Sequence, residues 1–194
     1  MDALLSFSRL IDAVNERVGR AVYWLILIMA IISALNAISR KAFDLSSNAY
    51  LEIQWYLFAA VFLLGAGYTL LRDEHVRIDV IAGKFSKRGQ IWIDIIGTVF
   101  FLLPFALLVL YFSWPYFMFS FQSQEWSPNP GGLIVWPVKL LIPLGFLLLF
   151  LQGLSRLINL IAALQGKVDL DVMTKHHTTV EDEIETMLGE SKKD

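Results

Sequence analysis

The sequence predicts an all-α integral membrane protein with four transmembrane helices, both termini in the cytoplasm and an N-terminal amphipathic interfacial helix. Three observations predict it. Hydrophobic residues make up 56% of the 194 residues, whereas charged residues make up only 18%, against about 25% in soluble domains. Several uncharged runs are long enough to cross a bilayer. Lysine and arginine are distributed unevenly between the segments that connect these runs.

The composition also excludes several classes of protein. The chain contains no cysteine, which excludes thiol catalysis, thiolate metal sites and a disulfide-rich scaffold. Its formal net charge is only −2, and no cluster of basic residues indicates a nucleic-acid-binding domain. The high apolar content excludes a disordered chain. A membrane protein without a nucleic-acid partner is the class that remains.

The four spans are predicted from runs without Asp, Glu, Lys or Arg. A bilayer core of about 30 Å requires about 20 helical residues, because unpaired backbone groups are not tolerated in hydrocarbon. This places the spans at about 19–39, 53–71, 92–117 and 136–156. The third uncharged run is too long for one perpendicular helix. Pro104 and Pro115 are therefore expected as kink points in the third span.

The orientation is predicted from the basic residues beside the spans. Thirteen lysines and arginines fall in the N-terminal segment, the second loop and the C-terminal segment, and three fall in the first and third loops. Cytoplasmic segments carry the excess of Lys and Arg. Both termini are therefore predicted to be cytoplasmic.

The N-terminal segment, residues 1–18, has apolar residues at spacings of three and four. This pattern indicates an amphipathic helix. A helix lying in the plane of the membrane interface is favoured, and an extension of the first transmembrane helix into the cytoplasm is the alternative. The apolar stripe consists of Leu4, Phe7, Ile11, Val14 and Val18.

The segments between and after the spans divide the rest of the chain. In the second loop, apolar residues alternate with charged ones over 76–80, which predicts an extended turn leading into a short helix. The third loop, 125–132, is rich in Pro, Gly, Ser and Asn and is predicted to form turns. The domain division is then an amphipathic helix (1–18), a four-helix transmembrane domain (19–164) and a polar acidic cytoplasmic tail (165–194).

No pattern in the sequence indicates catalysis. Nucleotide-binding, metalloprotease and hydrolase motifs are absent, so no catalytic, cofactor-binding or metal-binding residue is predicted. Charged residues lie at the edges of the predicted spans rather than inside them, and intramembrane ionisable residues are the usual mark of an ion or substrate path. The chain is therefore predicted to be a structural or accessory membrane subunit and not an enzyme.

One stretch of the sequence resembles a known family. The run from Glu52 to Asp79, with a Leu-Gly-Ala core at Gly65 and His75-Val-Arg77 near its end, is similar to the small membrane subunit (Q-type, DctQ-like) of TRAP transporters. These are the tripartite ATP-independent periplasmic transporters of bacteria. Trp136 and the Ile-Pro pair at Pro143 resemble the entry into the fourth helix of that family.

The resemblance implies a function that composition does not indicate. Its members work with a large membrane subunit that holds the substrate and sodium sites, and with a periplasmic substrate-binding protein that delivers organic acids such as C4-dicarboxylates or sialic acid. The resemblance thus implies a small permease subunit in the bacterial inner membrane. It would act as a scaffold for the large transport subunit and bind no cofactor itself.

Eight residues are candidates for contact with the partner subunit or the lipid bilayer. For those in the second loop, local pairing of Arg77 with Asp79 or Asp73 is the equally weighted alternative. A rival function, the membrane anchor subunit of a respiratory enzyme complex, also fits four spans but usually requires histidines inside the helices for heme. The eight candidates are Glu52, Gly65, Arg72, His75, Arg77, Asp79, Trp136 and Pro143.

Overall fold

The computed structural model describes residues 2–44, 47–73 and 85–167. Four of its helical segments are long and apolar enough to cross a membrane, and the described residues form no strand beyond one isolated antiparallel bridge, Trp126 with Ile134. The predicted all-helical class with four spans is therefore confirmed. The helices are α1 (Asp2–Phe43), α2 (Asn48–Leu71), α3 (Lys87–Gly97), α4 (Leu103–Gln122) and α5 (Trp136–Leu164).

The amphipathic segment is not a separate helix. α1 runs without interruption through 42 residues, about 63 Å at 1.5 Å per residue, so residues 2–18 are continuous with the first span. This continuity is the geometry of the alternative, an extension of the first transmembrane helix. The segment contains no proline, and Gly19 packs so closely on Tyr68 that an added Cβ would lie 2.3 Å from that ring.

The third span contains the irregular helix that its length predicted. α3 and α4 are joined by a single π-helical segment, Thr98–Leu102, so the helix is continuous from Lys87 to Gln122. Pro104 is the second residue after this segment, and since it has no N–H, it cannot donate the regular bond to the carbonyl four residues earlier. Pro115 lies inside α4 without ending it.

α5 is the central helix of the bundle and contacts each of the others. Its closest approach is to α2, where a Cβ on Gly145 would lie 2.6 Å from the backbone oxygen of Leu63. Such backbone proximity is typical of membrane helix pairs that meet at small residues. At the other end of α5, Leu160 and Ala163 pack on Ile91 of α3 in a small apolar core. These contacts hold the helices side by side, and charged and polar residues lie at the two ends of the bundle.

Candidate functional site

The carboxylate of Glu52 organises the third loop. Glu52 is 4% exposed, and its Oε1 accepts hydrogen bonds from the hydroxyl of Ser127 and from Asn129 Nδ2 at 2.8 Å. Its Oε2 accepts the backbone N–H of Leu133 at 2.6 Å. We call Glu52, Ser127, Asn129 and Leu133 the Glu52 cluster. It satisfies a buried carboxylate with neutral donors alone.

Two further bonds tie α2 to the same loop. Asn48 Nδ2 donates to the carbonyl of Pro130 at 2.9 Å, and the Tyr56 hydroxyl donates to the carbonyl of Ile134 at 3.1 Å. These contacts lie one turn before and one turn after Glu52 along α2. The loop is thus held to three successive turns of one helix.

The loop also has an ion pair of its own. Lys139 of α5 bonds the carboxylate of Glu125, and its ammonium lies 4.2 Å from the centre of the Tyr116 ring, within cation–π range. The hydrogen bond from Lys139 is the main reason that the pKa of Glu125 is lowered from its ordinary value. Lys139 therefore links the loop to both α4 and α5.

The opposite end of the bundle is held by charges. Arg156 of α5 donates to Asp73 Oδ1 at 2.7 Å and to Asp94 Oδ2 at 3.0 Å, and all three side chains are at most 16% exposed. We call these residues the Arg156 cluster. One guanidinium joins the second residue after the end of α2, the helix α3 and the helix α5.

A second ion pair lies beside this cluster. Arg72 donates to Glu16 Oε1 at 2.6 Å, and Arg20 lies 3.4 Å from the same carboxylate. The hydrogen bond to Glu16 raises the pKa of the Arg72 guanidinium. Arg72, a candidate for partner contact, is thus already bonded to α1 of its own chain.

Polar side chains line the contact between α1 and α5. Asp12 Oδ1 accepts from Gln152 Nε2 at 2.8 Å and from Ser155 Oγ at 2.6 Å. Asn15 Nδ2 donates to Gln152 Oε1 at 2.8 Å, and the hydroxyl oxygens of Ser8 and Ser155 are 2.7 Å apart. These five residues form what we call the polar seam. It fixes the register of α1 on α5, because each bond requires one particular pair of residues.

Sequence reasoning did not predict the polar seam. The apolar stripe of residues 1–18 favoured a helix in the plane of the membrane interface, and no partner was predicted for the polar residues of that helix. A signal was present, since Ser8, Asp12 and Asn15 recur at spacings of four and three and so share one helix face. Polar residues on that face could have been matched with Gln152 and Ser155 on the fourth span.

The remaining candidates are placed at helix contacts or outside the described residues. Gly65 faces Val22 of α1, Trp136 begins α5 with its ring 5.2 Å from that of Phe121, and Pro143 is a fully buried residue of α5. His75, Arg77 and Asp79 lie outside the described residues, as does the tail beyond 167. The contact of these candidates with a partner or with lipid stays a prediction.

The described residues define the structural class of the protein. They form a four-span helical membrane protein whose ionised groups gather at the two ends of the bundle. Within the described ranges, no group of three or more His, Asp or Glu side chains is arranged to hold a metal ion. The side-chain bonds at both ends hold the described helices together.

A family comparison identifies the chain more closely. Residues 28–163 match the family model of the DctQ component of tripartite ATP-independent periplasmic transporters. The match covers well over half of the chain, and the protein therefore belongs to this family of small TRAP transporter components. It is a family of transporter components and not of enzymes, and nothing in the match supports a respiratory membrane anchor. Comparisons with curated proteins and with solved structures found no match.

Proposed function

We propose that this chain is the small permease subunit of a sodium-driven TRAP uptake system for organic acids of the C4-dicarboxylate or sialic acid class. In this proposal it acts as a static scaffold beside the large subunit, which binds sodium ions and substrate, while a periplasmic binding protein delivers the substrate. The chain lies in the bacterial inner membrane with both termini in the cytoplasm. Membership of the family supports the proposed association with the two partner proteins. The excess of basic residues beside alternate spans supports the proposed cytoplasmic location of both termini.

The scaffold role is supported by one observation above the others: the helices are bonded to one another at both ends of the bundle. The Glu52 cluster holds the third loop on α2, and the Arg156 cluster joins α5, α3 and the end of α2. A helix that shifted during transport would have to break buried charged or polar bonds, each costly in a low-dielectric surrounding. Such a bundle suits a part that stays still while a partner domain moves.

The scaffold proposal can be tested by locking the bundle internally. Because the chain has no cysteine, the double variant Ser8→Cys/Ser155→Cys introduces one defined pair at positions whose hydroxyl oxygens are 2.7 Å apart. The variant is reconstituted in proteoliposomes with the large subunit and the binding protein, and substrate uptake is measured before and after oxidation with copper phenanthroline. A static subunit predicts the same uptake rate in both states.

The controls for this experiment are the two single-cysteine variants and the oxidised double variant treated with a reductant. Loss of uptake on oxidation of the double variant alone, restored by reduction, would show that α1 moves against α5 during transport. That outcome would overturn the scaffold proposal while leaving membership of the transporter unaffected.

The substrate class and the driving ion are tested in the same proteoliposomes. Uptake of labelled C4-dicarboxylate and of labelled sialic acid is compared with an inward sodium gradient, with an equal potassium gradient and without either. The proposal predicts uptake of one of the two substrates, dependent on sodium and on both partners. Transport by this chain alone would contradict the proposed division of labour.

Contact of the second loop with the large subunit is tested with Arg77→Ala. The proposal predicts weaker copurification of the large subunit, whereas Arg88→Ala, an exposed arginine at the start of α3, is the matched control and is expected to have no effect. Unchanged yield of the complex with Arg77→Ala would favour local pairing within the loop instead.

A further inference from the structure

We propose that the exposed face of the first part of α1 binds anionic phospholipid headgroups. This face has two adjacent stripes, one apolar and one basic, which we call the lipid-binding face. The proposal concerns the chain by itself and does not depend on the transported substrate or on the large subunit. Its apolar stripe consists of exposed residues only and so differs from the stripe predicted from the sequence: it includes Leu10 but not Ile11 or Val18. The exposed apolar stripe is Leu4, Phe7, Leu10 and Val14, and the basic stripe is Arg9, Arg17 and Arg20.

The N-terminal part of α1 buries polar residues against its own bundle and leaves four large apolar side chains exposed, although Ile11 is buried. Ser8 and Asn15 are each 1% exposed against α5, whereas Phe7 is 46% and Leu10 is 61% exposed. A soluble helix would bury the apolar stripe instead. A helix that turns its apolar stripe away from its own bundle requires an apolar surrounding on that side.

In residues 3–20 the acidic side chains are less exposed than the basic ones. The carboxylate of Asp12 is bonded to Gln152 and Ser155 in the polar seam, and that of Glu16 is bonded to Arg72 of the neighbouring segment. The three arginines of the basic stripe point outward, and Arg20 has a side chain that is 70% exposed. Arg20 also lies 3.4 Å from the Glu16 carboxylate. The exposed charged side chains of residues 3–20 are nevertheless all arginines, so the outer surface of these residues is basic.

The two stripes lie side by side around the helix axis. At about 100° per residue, Arg17 lies about 20° from Leu10 around the helix axis, so the basic stripe borders the apolar one directly. Long arginine side chains beside an apolar strip reach headgroup phosphates while the strip contacts acyl chains. An acidic lipid surface complements this face in both charge and polarity.

The lipid-binding face lies in the N-terminal half of α1. Glu16 is bonded to Arg72, the first residue after α2, so residues 2–15 continue beyond the end of α2 by about 21 Å. The whole helix, at about 63 Å, is longer than the 40–45 Å of a complete bilayer. Its N-terminal end, which carries the basic stripe, therefore reaches the headgroup layer, where lysine and arginine are attracted to anionic lipids.

The proposal is tested by lipid titration of the full chain purified in a neutral detergent. Native mass spectrometry measures retention of phosphatidylglycerol and of phosphatidylcholine with the same acyl chains. The variant Arg9→Gln/Arg17→Gln/Arg20→Gln is expected to lose the preference for phosphatidylglycerol, by about fivefold for each arginine removed. The preference of the unmodified chain is expected to fall with added salt, because exposed charges are screened.

Two matched variants separate charge from folding. Replacement of the same three arginines by lysine is expected to keep the preference, because the charge remains. The variant Arg40→Gln/Lys41→Gln removes exposed basic residues at the other end of α1 and is expected to leave the preference unchanged. Equal loss in this control, or retention of the preference in the glutamine triple variant, would overturn the proposal.

The competing occupant, a protein surface, gives a different outcome. Unchanged lipid preference in the glutamine triple variant together with reduced copurification of the large subunit would assign the face to that partner and reject the lipid site. Failure of the scaffold experiment would not affect this result, since the lipid titration uses this chain alone.

Discussion

The two ends of the bundle bury carboxylates in different ways. Glu52 is satisfied by a hydroxyl, an amide and a backbone N–H, whereas Asp73 and Asp94 share the guanidinium of Arg156. In the first case the carboxylate holds a loop, and its stabilisation is divided among three neutral hydrogen-bond donors. In the second case one cation holds three segments, and its removal leaves two like charges together. The two ends should therefore respond to mutation very differently.

The largest effect is expected from Arg156→Met. Removal of the cation takes from the buried carboxylates of Asp73 and Asp94 the guanidinium that they share, and loss of one partner of a buried ion pair costs about 3–5 kcal/mol of unfolding free energy. Thermal unfolding of the detergent-purified protein, followed by tryptophan fluorescence, measures the loss. The exposed Arg88→Met is the control and should change stability by less than about 0.5 kcal/mol. Similar stability of the two variants would mean that the Arg156 cluster does not hold the three segments.

A smaller loss is expected midway between the ends, where α2 and α5 meet through their backbones. In Gly145→Ala, the new Cβ would lie 2.6 Å from the carbonyl oxygen of Leu63, and the helices must separate at a cost of about 1–3 kcal/mol. Gly97→Ala is the matched control because a Cβ there meets nothing within 4 Å. It should stabilise its helix by about 0.5–1 kcal/mol. The same unfolding measurement compares them, and the opposite signs are the result to check.

At the other end, Glu52→Gln should cost about 1–3 kcal/mol. The amide keeps one acceptor oxygen but places an NH2 group where Oε2 accepts the N–H of Leu133, so one buried donor loses its partner. Tyr56→Phe removes a single bond to the same loop and should cost only about 0.5–1.5 kcal/mol. Limited proteolysis of the third loop should detect both changes. A loss from Glu52→Gln as large as that from Arg156→Met would remove the contrast between the two ends.

The smallest effect is expected from pH at the third loop. The pKa of Glu125 in the folded protein is below its ordinary value of 4.5, chiefly because of the bond from Lys139. Its contribution is therefore fully present above pH 4.5 and is lost as the pH falls through the folded pKa. The unfolding midpoints of the native chain and of Glu125→Gln should differ near neutral pH and converge on acidification. A difference that stays constant with pH would assign the effect to packing rather than to ionisation.

Much of the architecture was predictable because the bilayer restricts what a sequence can do. Uncharged runs of about 20 residues must be helical where no water can bond the backbone, and four helices of the structure are long and apolar enough to cross a membrane. The irregular turn beside Pro104 followed from the missing N–H of proline. The family was recognisable from the run that begins at Glu52.

The candidate site was predictable only in part. Glu52 was singled out, but its donors lie in a loop 75 to 81 residues away, and turn-forming residues give no sign of which carboxylate they will bond. Asp94 and Arg156 were visible as span-edge charges, but Arg156 is 62 residues from Asp94 and 83 residues from its other partner, Asp73. Pairing over such separations depends on the order of helices in the bundle.

The sequence by itself determined the number of helical spans and the family, because these depend on local hydropathy, on backbone hydrogen bonding and on a contiguous motif. Only the tertiary structure decided which way α1 faces. Of its predicted apolar stripe only Ile11 is buried, because α5 offers Gln152 and Ser155 at the matching height and the polar residues of α1 turn toward them. In a membrane, apolar side chains lose nothing by facing lipid, and polar groups gain by meeting each other.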